Sequence, residues 1–500
     1  MIKGWTGKRL RIDLSLKKAW SEDIPPADLR QWFGGRGLNA SFFSQHFTSP
    51  VSADSPENPI AFAVGPLTGT LAPCSGWTSI ASFSPLSDSP VYGFTRMPGH
   101  FGASLKAAGF DQCIIQGKAE RPVTLWIDDG EVKFEKADHL WGKETTETTV
   151  TLQEEKGDRS IEVLCIGPAG EGQVPLANVI HRLSWTGDRL GLGYLFGVKQ
   201  LKAIAIRGKK PVTLQYPKKF LDLCLSLKNQ IHEGQKRRKL KAEGDSSLLG
   251  REERSSAHRR LPPGSEKQWA TSLWANLSGS EGCSSCPVHC GRSVQDRGNS
   301  LAGIHLDKPW YLGPQIGVYS GEWTLKLHRF CQAQGLDPFL TASLLGRILE
   351  GVETGTFSEE DLRQMDEIED HGEKVLTLLR RITSGGKKEF HLPAPPTSDN
   401  EDLDILADIV SFCMIVVNRL NLMTISNIID LINGATGYAL TNKDLQVTIS
   451  NIRQMESRLQ NKTLHWNDQT SLLRQEKGQI SQILKKEERD HVSISNPTAS

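Results

Sequence analysis

The chain has 500 residues, too many for one compact core and enough for two to four domains at roughly 100–200 residues each. Lys and Arg number 59 against 58 Asp and Glu, a net charge of +1, which argues against a protein built mainly to bind nucleic acid. No run approaches 18 uninterrupted apolar residues, so no membrane-spanning helix is expected.

The opening stretch Met1–Leu14 alternates too polarly for a secretory signal and reads as a strand, so the expected location is cytoplasmic. β-like runs follow at Leu10–Leu14, Ile60–Val64, Ser79–Phe83, Gln112–Gln116, Val123–Ile127, Ile161–Ile166 and Ala203–Arg207. Asp129-Gly130 sits between TLWID and EVKFE as a hairpin signal. Helical patches fall at Ala27–Phe33, Phe101–Ala108 and Thr145–Glu155. Residues 1–210 therefore read as a sheet-based domain. From Pro217 the pattern turns helical: Lys218–His232, Glu322–Gln334, Phe339–Glu353, Ser358–Thr383, Leu403–Asn418, Thr424–Ala435 and Asn442–Leu459. The expected fold class is α+β, with the sheet domain followed by mostly α-helical domains. The boundaries expected are a helix and charged linker at 211–265, helical domains at 266–390 and 391–484, and a frayed tail at 485–500. Lys236–Arg260 carries the basic run of the linker, and Gly385–Asn400 is a Pro-rich break.

The sharpest chemical signal is Cys283-Ser-Ser-Cys286-Pro-Val-His-Cys290. Nine cysteines without an export signal point away from a disulfide framework. Thiols spaced C-x2-C-x3-C can converge if the chain wraps around them, and clustered thiolates select soft metals. Three readings stay open: an iron–sulfur cluster with a fourth ligand from elsewhere, a zinc knuckle using His289 or a distant Cys, or three free thiols in a loop. The order of spacings is the reverse of the radical S-adenosylmethionine loop, which sets that class aside. Cys113, Cys165 and Cys224 read as core residues, as do Cys331 and Cys413 taken alone. The exposure of Cys74, in a Pro/Gly-rich loop, is left open. Gly34-Gly35-Arg36-Gly37 and Arg189-Leu-Gly191-Leu-Gly193 let backbone approach an anion, but neither is a dinucleotide or P-loop fingerprint.

Together these segments resemble the aldehyde ferredoxin oxidoreductase family. The resemblance is carried in order by GWTGKRLRIDL, FGGRGLNA, SPENPIAFAVGPLTGTLAPCSG, HFGASLKAAGFDQCIIQGKAERPV, LWIDDGEV, LWGKET, CIGPAGEG and RLGLGYLFGVKQLKAIAIRG across residues 4–208. The cysteine loop, LGPQ at 312–315, FCQAQGLD at 330–337 and LINGATGY at 431–438 continue it. It implies a first domain that carries a tungsten- or molybdenum-bis-pterin, with helical domains closing over it. It implies a [4Fe–4S] cluster on Cys283, Cys286, Cys290 and, as distant fourth ligand, Cys413. It also implies pterin contacts from Gly34, Gly35, Arg36, Gly37, Gly99, Gly102, Arg189, Gly191 and Gly193. Two further loops would add Gly335, Leu336 and Asp337 in the first, and Asp408 in the second.

The implied activity is oxidation of an aldehyde or other small carbonyl, with electrons passed to ferredoxin or another redox protein. Relatives of this kind commonly self-associate, and a larger paralogue is a further candidate partner; neither membrane nor nucleic acid is expected. The sequence departs from the family pattern at several points. Ser75-Gly76-Trp77 stands where the family has SGR, Arg96 where it has asparagine, Gln332 where a loop aspartate is usual, and Ser411-Phe412 where Gly-Leu is usual. Where the family has an acidic segment after the cluster, this chain has Leu306-Asp307-Lys308-Pro309-Trp310, shorter and without the glutamate, and the later Arg-Gly-x-Cys-His segment has no counterpart. His305 and Asp307 are the nearest candidates to replace their proton handling. These departures give a second reading: a catalytically silent or electron-relay relative that keeps the fold and the cluster.

Overall fold

The computed structural model describes residues 2–86, 90–182, 185–187, 189–234, 265–296, 299–305, 308–349, 367–384, 401–413, 415–420 and 422–460. The expected linker Lys236–Arg260, the break Gly385–Asn400, the tail from Lys485, Asp307 and the side chain of His305 lie outside the described residues.

The N-terminal region is built on two six-stranded sheets. The first contains β1 (Lys8–Asp13), β2 (Lys18–Asp23), β3 (Ile60–Ala63), β4 (Thr78–Ser84), β5 (Val91–Met97) and β6 (Gln112–Gln116), in the order β2-β1-β6-β3-β4-β5. Only the β1–β6 pair is parallel. Every residue of β3 and β4 is buried, so this sheet is covered on both faces at its middle. The second contains β7 (Val123–Asp128), β8 (Glu131–Lys136), β9 (Glu162–Cys165), β10 (Ile180–His181), β11 (Trp185–Thr186) and β12 (Leu201–Arg207), in the order β11-β10-β9-β12-β7-β8. Asp129 and Gly130 join β7 to β8 with φ of 50° and 102°, the paired left-handed conformation of a tight hairpin turn.

The helix Phe101–Ala108 ties the two sheets together. Its Phe101, Leu105 and Ala108 share one apolar cluster with Ile60, Phe62 and Ile115 of the first sheet and with Leu125, Leu164 and Ile204 of the second. Burying aliphatic and aromatic side chains from both sheets on one helix removes a large apolar area from water, at about 25 cal/mol per Å².

The C-terminal half is mostly helical. Its described helices are Pro217–Glu233, Ser265–Trp274, Gly321–Gln334, Pro338–Leu349, His371–Ser384, Glu401–Val410, Ile425–Thr436 and Asn442–Gln460. None of the described helices is long and apolar enough to cross a membrane. Two features depart from the sequence-based expectation. A small antiparallel sheet, β13 (Leu277–Glu281), β14 (Gly291–Asp296) and β15 (Asn299–His305), frames the cysteine loop. The helix expected over Leu403–Asn418 stops at Val410, and a π-helical turn follows at Ile415–Arg419.

Candidate redox site

The cysteine loop spans the gap between β13 and β14, so a hairpin holds both of its ends. Backbone bonds then attach it to the first domain. Ser284 N donates to Gly99 O at 3.0 Å, Cys74 N donates to Ser285 O at 3.2 Å, and the Ser285 hydroxyl donates to Thr70 O at 2.7 Å. His100 Nε2 donates to Gly282 O at 2.9 Å. Within the loop, Cys286 N donates to Cys283 O at 3.0 Å.

Cys413 reaches this loop from the far end of the chain. Its N–H donates to the carbonyl of Cys74 at 2.9 Å. Cys74, Cys283, Cys286, Cys290 and Cys413 are all buried free thiols in one apolar cluster. The Cys74 and Cys286 sulfurs are 3.8 Å apart. No local signal marks Cys74 as a member of this group, because its Pro/Gly-rich surroundings hide a partner more than 200 positions away.

Burial, then repulsion from Cys286 and Cys290, pushes the Cys283 and Cys413 thiols up. The contact with Cys286, followed by burial, does the same to Cys74. Thiols that resist ionisation in a dry pocket are stabilised as thiolates when a soft cationic centre binds. The donor set therefore fits an iron–sulfur cube, which spreads its thiolates over four corners. Among the described residues no three His, Cys, Asp or Glu side chains converge closely enough for a single metal ion, and the knuckle reading with His289 finds no such convergence there.

Asp408 opens the segment that ends at Cys413. The helix Glu401–Val410 closes with Phe412 N donating to Ala407 O at 2.7 Å, while Ser411 takes a left-handed φ of 61°. Serine is costly in that conformation, but its hydroxyl accepts from Gly65 N at 2.8 Å. Gly65 is in turn braced from below. Lys106 Nζ donates to Gly65 O at 3.0 Å and pairs with Asp111 Oδ1 at 2.5 Å, and Asp111 Oδ2 accepts from Thr6 N at 2.9 Å and Gly7 N at 2.7 Å.

The Asp408 carboxylate sits between two arginines, Arg96 Nη1 at 3.3 Å and Arg36 Nη1 at 3.6 Å. Burial raises its pKa, against the pull of both cations. Arg36 is itself held by a bidentate pair to Glu456, at 2.7 and 2.6 Å, and lies 3.4 Å from the Phe94 ring centroid. Burial works against its charge, but Glu456 and Asp408 outweigh burial and raise its pKa. Arg96 also pairs with Asp404 at 3.2 Å, and its guanidinium lies 5.7 Å from the Trp77 ring centroid. The two departures at 77 and 96 thus contact each other. Gly34 caps the helix Gly35–His46, which also carries Arg36 and Gly37. Gly35 is obligatory here: a Cβ on it would lie 1.8 Å from Asp408 O, and its φ is +43°.

Of Arg189, Gly191 and Gly193, Arg189 meets the other loop, whereas Gly191 lies against Pro85 and Gly193 N donates to Ala177 O at 3.1 Å. Arg189 N donates to Asp337 Oδ2 at 2.6 Å, and Asn178 Nδ2 donates to the same oxygen at 3.4 Å. Asp337 Oδ1 accepts from Phe339 N and Leu340 N, capping the helix Pro338–Leu349. Gly335 ends the preceding helix with φ +73°, and Leu336 is fully buried beside it. Gln332 Nε2 donates to Gly303 O. Gly99 and Gly102 flank the start of the helix Phe101–Ala108, and Gly99 lies against His181 and Trp185.

A pterin ring system needs hydrogen-bond partners that the protein has not already used. Trp77 Nε1 and Ser79 Oγ are buried and have no partner among the described residues. Ser79 pairs with Arg96 across β4 and β5, which puts both side chains on one face. The place formed by Trp77, Ser79, Arg96 and Asp408 therefore fits a polar heterocycle. At the Asp337 loop the carboxylate is already committed to backbone and Asn178 donors.

The family model described as the aldehyde ferredoxin oxidoreductase N-terminal domain matches residues 9–208, and that for domains 2 and 3 of the same family matches residues 261–388. The tungsten-containing aldehyde ferredoxin oxidoreductase of Pyrococcus furiosus is 30% identical over 374 residues, 72% of this chain and 61% of that one. The Pyrococcus horikoshii enzyme of the same name is 32% identical over 377 residues, 72% and 60% of the two chains. An aliphatic sulfonate oxidoreductase, WOR-like subunit, from P. furiosus is 27% identical over 391 residues, 72% and 61%. The matches thus span about 60% of the length of these relatives. A chain of the BamBC active-site complex of benzoyl coenzyme A reductase shares the fold with a TM-score of 0.77 at 19% identity, covering 92% of this chain and 90% of that one. With the two family models matching its sheet domain and its cysteine-loop region, the chain belongs to the aldehyde ferredoxin oxidoreductase family.

Proposed function

We propose that the chain is a redox protein of the aldehyde ferredoxin oxidoreductase kind in which Cys283, Cys286, Cys290 and Cys413 hold a [4Fe–4S] cluster. Electrons from an aldehyde or other small carbonyl would leave through it to ferredoxin or a similar carrier. The observation that carries this reading is the approach of Cys413 to the 283–290 loop through Cys74, whose carbonyl accepts from Cys413 N and whose N–H donates to Ser285 O, with all five thiols buried. A tungsten- or molybdenum-pterin would supply the two-electron chemistry when bound. Trp77, Ser79 and Arg96 would donate to it, and Asp408 would accept from it. The six-residue segment from Asp408 to Cys413 joins that place to the sulfur nest, and the segment from Cys74 to Trp77 joins them a second time. Trp77 N donates to Ser411 O at 3.2 Å, so the two segments are also bonded to each other. Burial keeps water from the thiolates.

The second reading, a silent or electron-relay relative, has its own support: the carboxylates of Asp337 and Asp408 are already engaged by the protein's own donors. Metal analysis of anaerobically prepared chain separates the two. Iron with tungsten or molybdenum, and aldehyde-dependent dye reduction, supports the first. Iron alone with no turnover selects the second. Zinc without iron rejects both.

A further inference from the structure

The sulfur nest contains one thiol more than a cube has corners. We infer that Cys74 donates its S–H to the Cys286 sulfur and thereby raises the reduction potential of the cluster; this rests on the cluster reading given above. The two sulfurs are 3.8 Å apart, the separation of a hydrogen-bonded pair of sulfurs. Cys74 is 1% exposed, so water does not compete for the bond.

The backbone fixes the aim of the side chain. The Cys74 N–H is bonded to Ser285 O, next to Cys286, and its carbonyl accepts from Cys413 N. One peptide therefore stitches the early cysteine loop to the late cysteine. Cys74 also takes a left-handed φ of 64°, a conformation that glycine adopts freely and cysteine does not. Glycine at this position would keep both backbone bonds without that strain, so what cysteine adds is its sulfur. A donor aimed at a ligand sulfur stabilises the more negative, reduced cluster more than the oxidised one, which moves the potential upward. Cys74 is a positioning residue that acts through Cys286.

The test uses the full chain, prepared anaerobically, with Cys74→Ala, Cys74→Gly and Cys74→Ser. Expected is about four irons per chain in all three, as for a [4Fe–4S] protein. The midpoint potential should fall in the Ala and Gly variants by a shift of about tenfold in the one-electron equilibrium, about 59 mV. The Ser variant, which keeps a donor, should lie between these and the parent. The Gly variant guards against misfolding, since it relieves the backbone strain. An unchanged potential in the Ala and Gly variants overturns the inference. So does loss of iron in both, which would make Cys74 a ligand. Absence of iron from the parent chain would instead defeat the cluster reading itself.

Discussion

The helices Gly321–Gln334 and Glu401–Val410 close in the same way. Leu336 N reaches back to Cys331 O and Phe412 N to Ala407 O, each at 2.7 Å, around a left-handed residue, Gly335 in one and Ser411 in the other. Each places a buried apolar residue next, Leu336 or Phe412. The closing residue then differs. Asp337 caps the following helix and accepts from Arg189 N, whereas Cys413 turns into the sulfur nest. The geometry belongs to the helix end, and the chemistry belongs to the single side chain it presents. The comparison also explains the serine. At Gly335 an added Cβ would lie 2.7 Å from Gly167 N, but Ser411 has room and a donor, Gly65 N.

The largest effect is expected from breaking the thiol end. Cys413→Ala combined with Cys74→Ala should abolish the proposed cluster and loosen the helical half, because metal binding is coupled to folding. A full [4Fe–4S] spectrum in that double variant would show that Cys413 is not a ligand. Next comes Gly335→Ser, which forces a side chain against the Gly167 backbone in a left-handed conformation. It should lower stability by about 1–3 kcal/mol, read from the denaturant midpoint. Ser411→Ala strands the buried Gly65 N–H and should cost about 1–2 kcal/mol. Ser411→Gly loses the same bond but relieves the backbone, so a net change within about 1 kcal/mol is expected. If the two Ser411 variants cost the same, the backbone strain at this position is refuted, and a Ser411→Ala variant as stable as the parent refutes the hydroxyl's compensating role.

The smallest effect is in pH dependence. The Asp408 carboxyl has a pKa raised above 3.8, chiefly by burial. Between 3.8 and that raised value the native chain holds more protons than the unfolded one, so this residue's contribution to stability falls as pH rises. Asp408→Asn should flatten the slope of melting temperature against pH in that acid window. A slope identical to the parent's would place the titration elsewhere.

Much of the sheet domain was legible because its cues are local. Asp129-Gly130 announces its own turn, and the runs at Gln112–Gln116 and Phe101–Ala108 match the strand and helix found there. β2 and β5 were missed: β2 is a polar, largely exposed edge strand, and β5 is interrupted by Gly93. The helix end at Val410 was missed because serine is not an ordinary left-handed stop, and its compensation comes from Gly65, remote in sequence. In the site, the spacing of Cys283, Cys286 and Cys290 was visible in eight residues. Their link to Cys413 came only with the family resemblance, and the approach of Cys74 is a product of tertiary packing. The contact of Arg96 with Trp77 was likewise invisible one residue at a time, although both were marked as departures.

The brace beneath Gly65 has a mechanical consequence. Thr6 and Gly7 hold Asp111, Asp111 holds the fully enclosed Lys106, Lys106 holds the Gly65 carbonyl, and the Gly65 amide anchors Ser411, two positions before the late thiol. A tug at the amino end is thus relayed along a rigid polar rod into the sulfur chamber. Clipping the chain before Lys8 would leave an ammonium–carboxylate couple short of its outer supports, and the damage would surface as a slackened thiol pocket some 400 residues downstream.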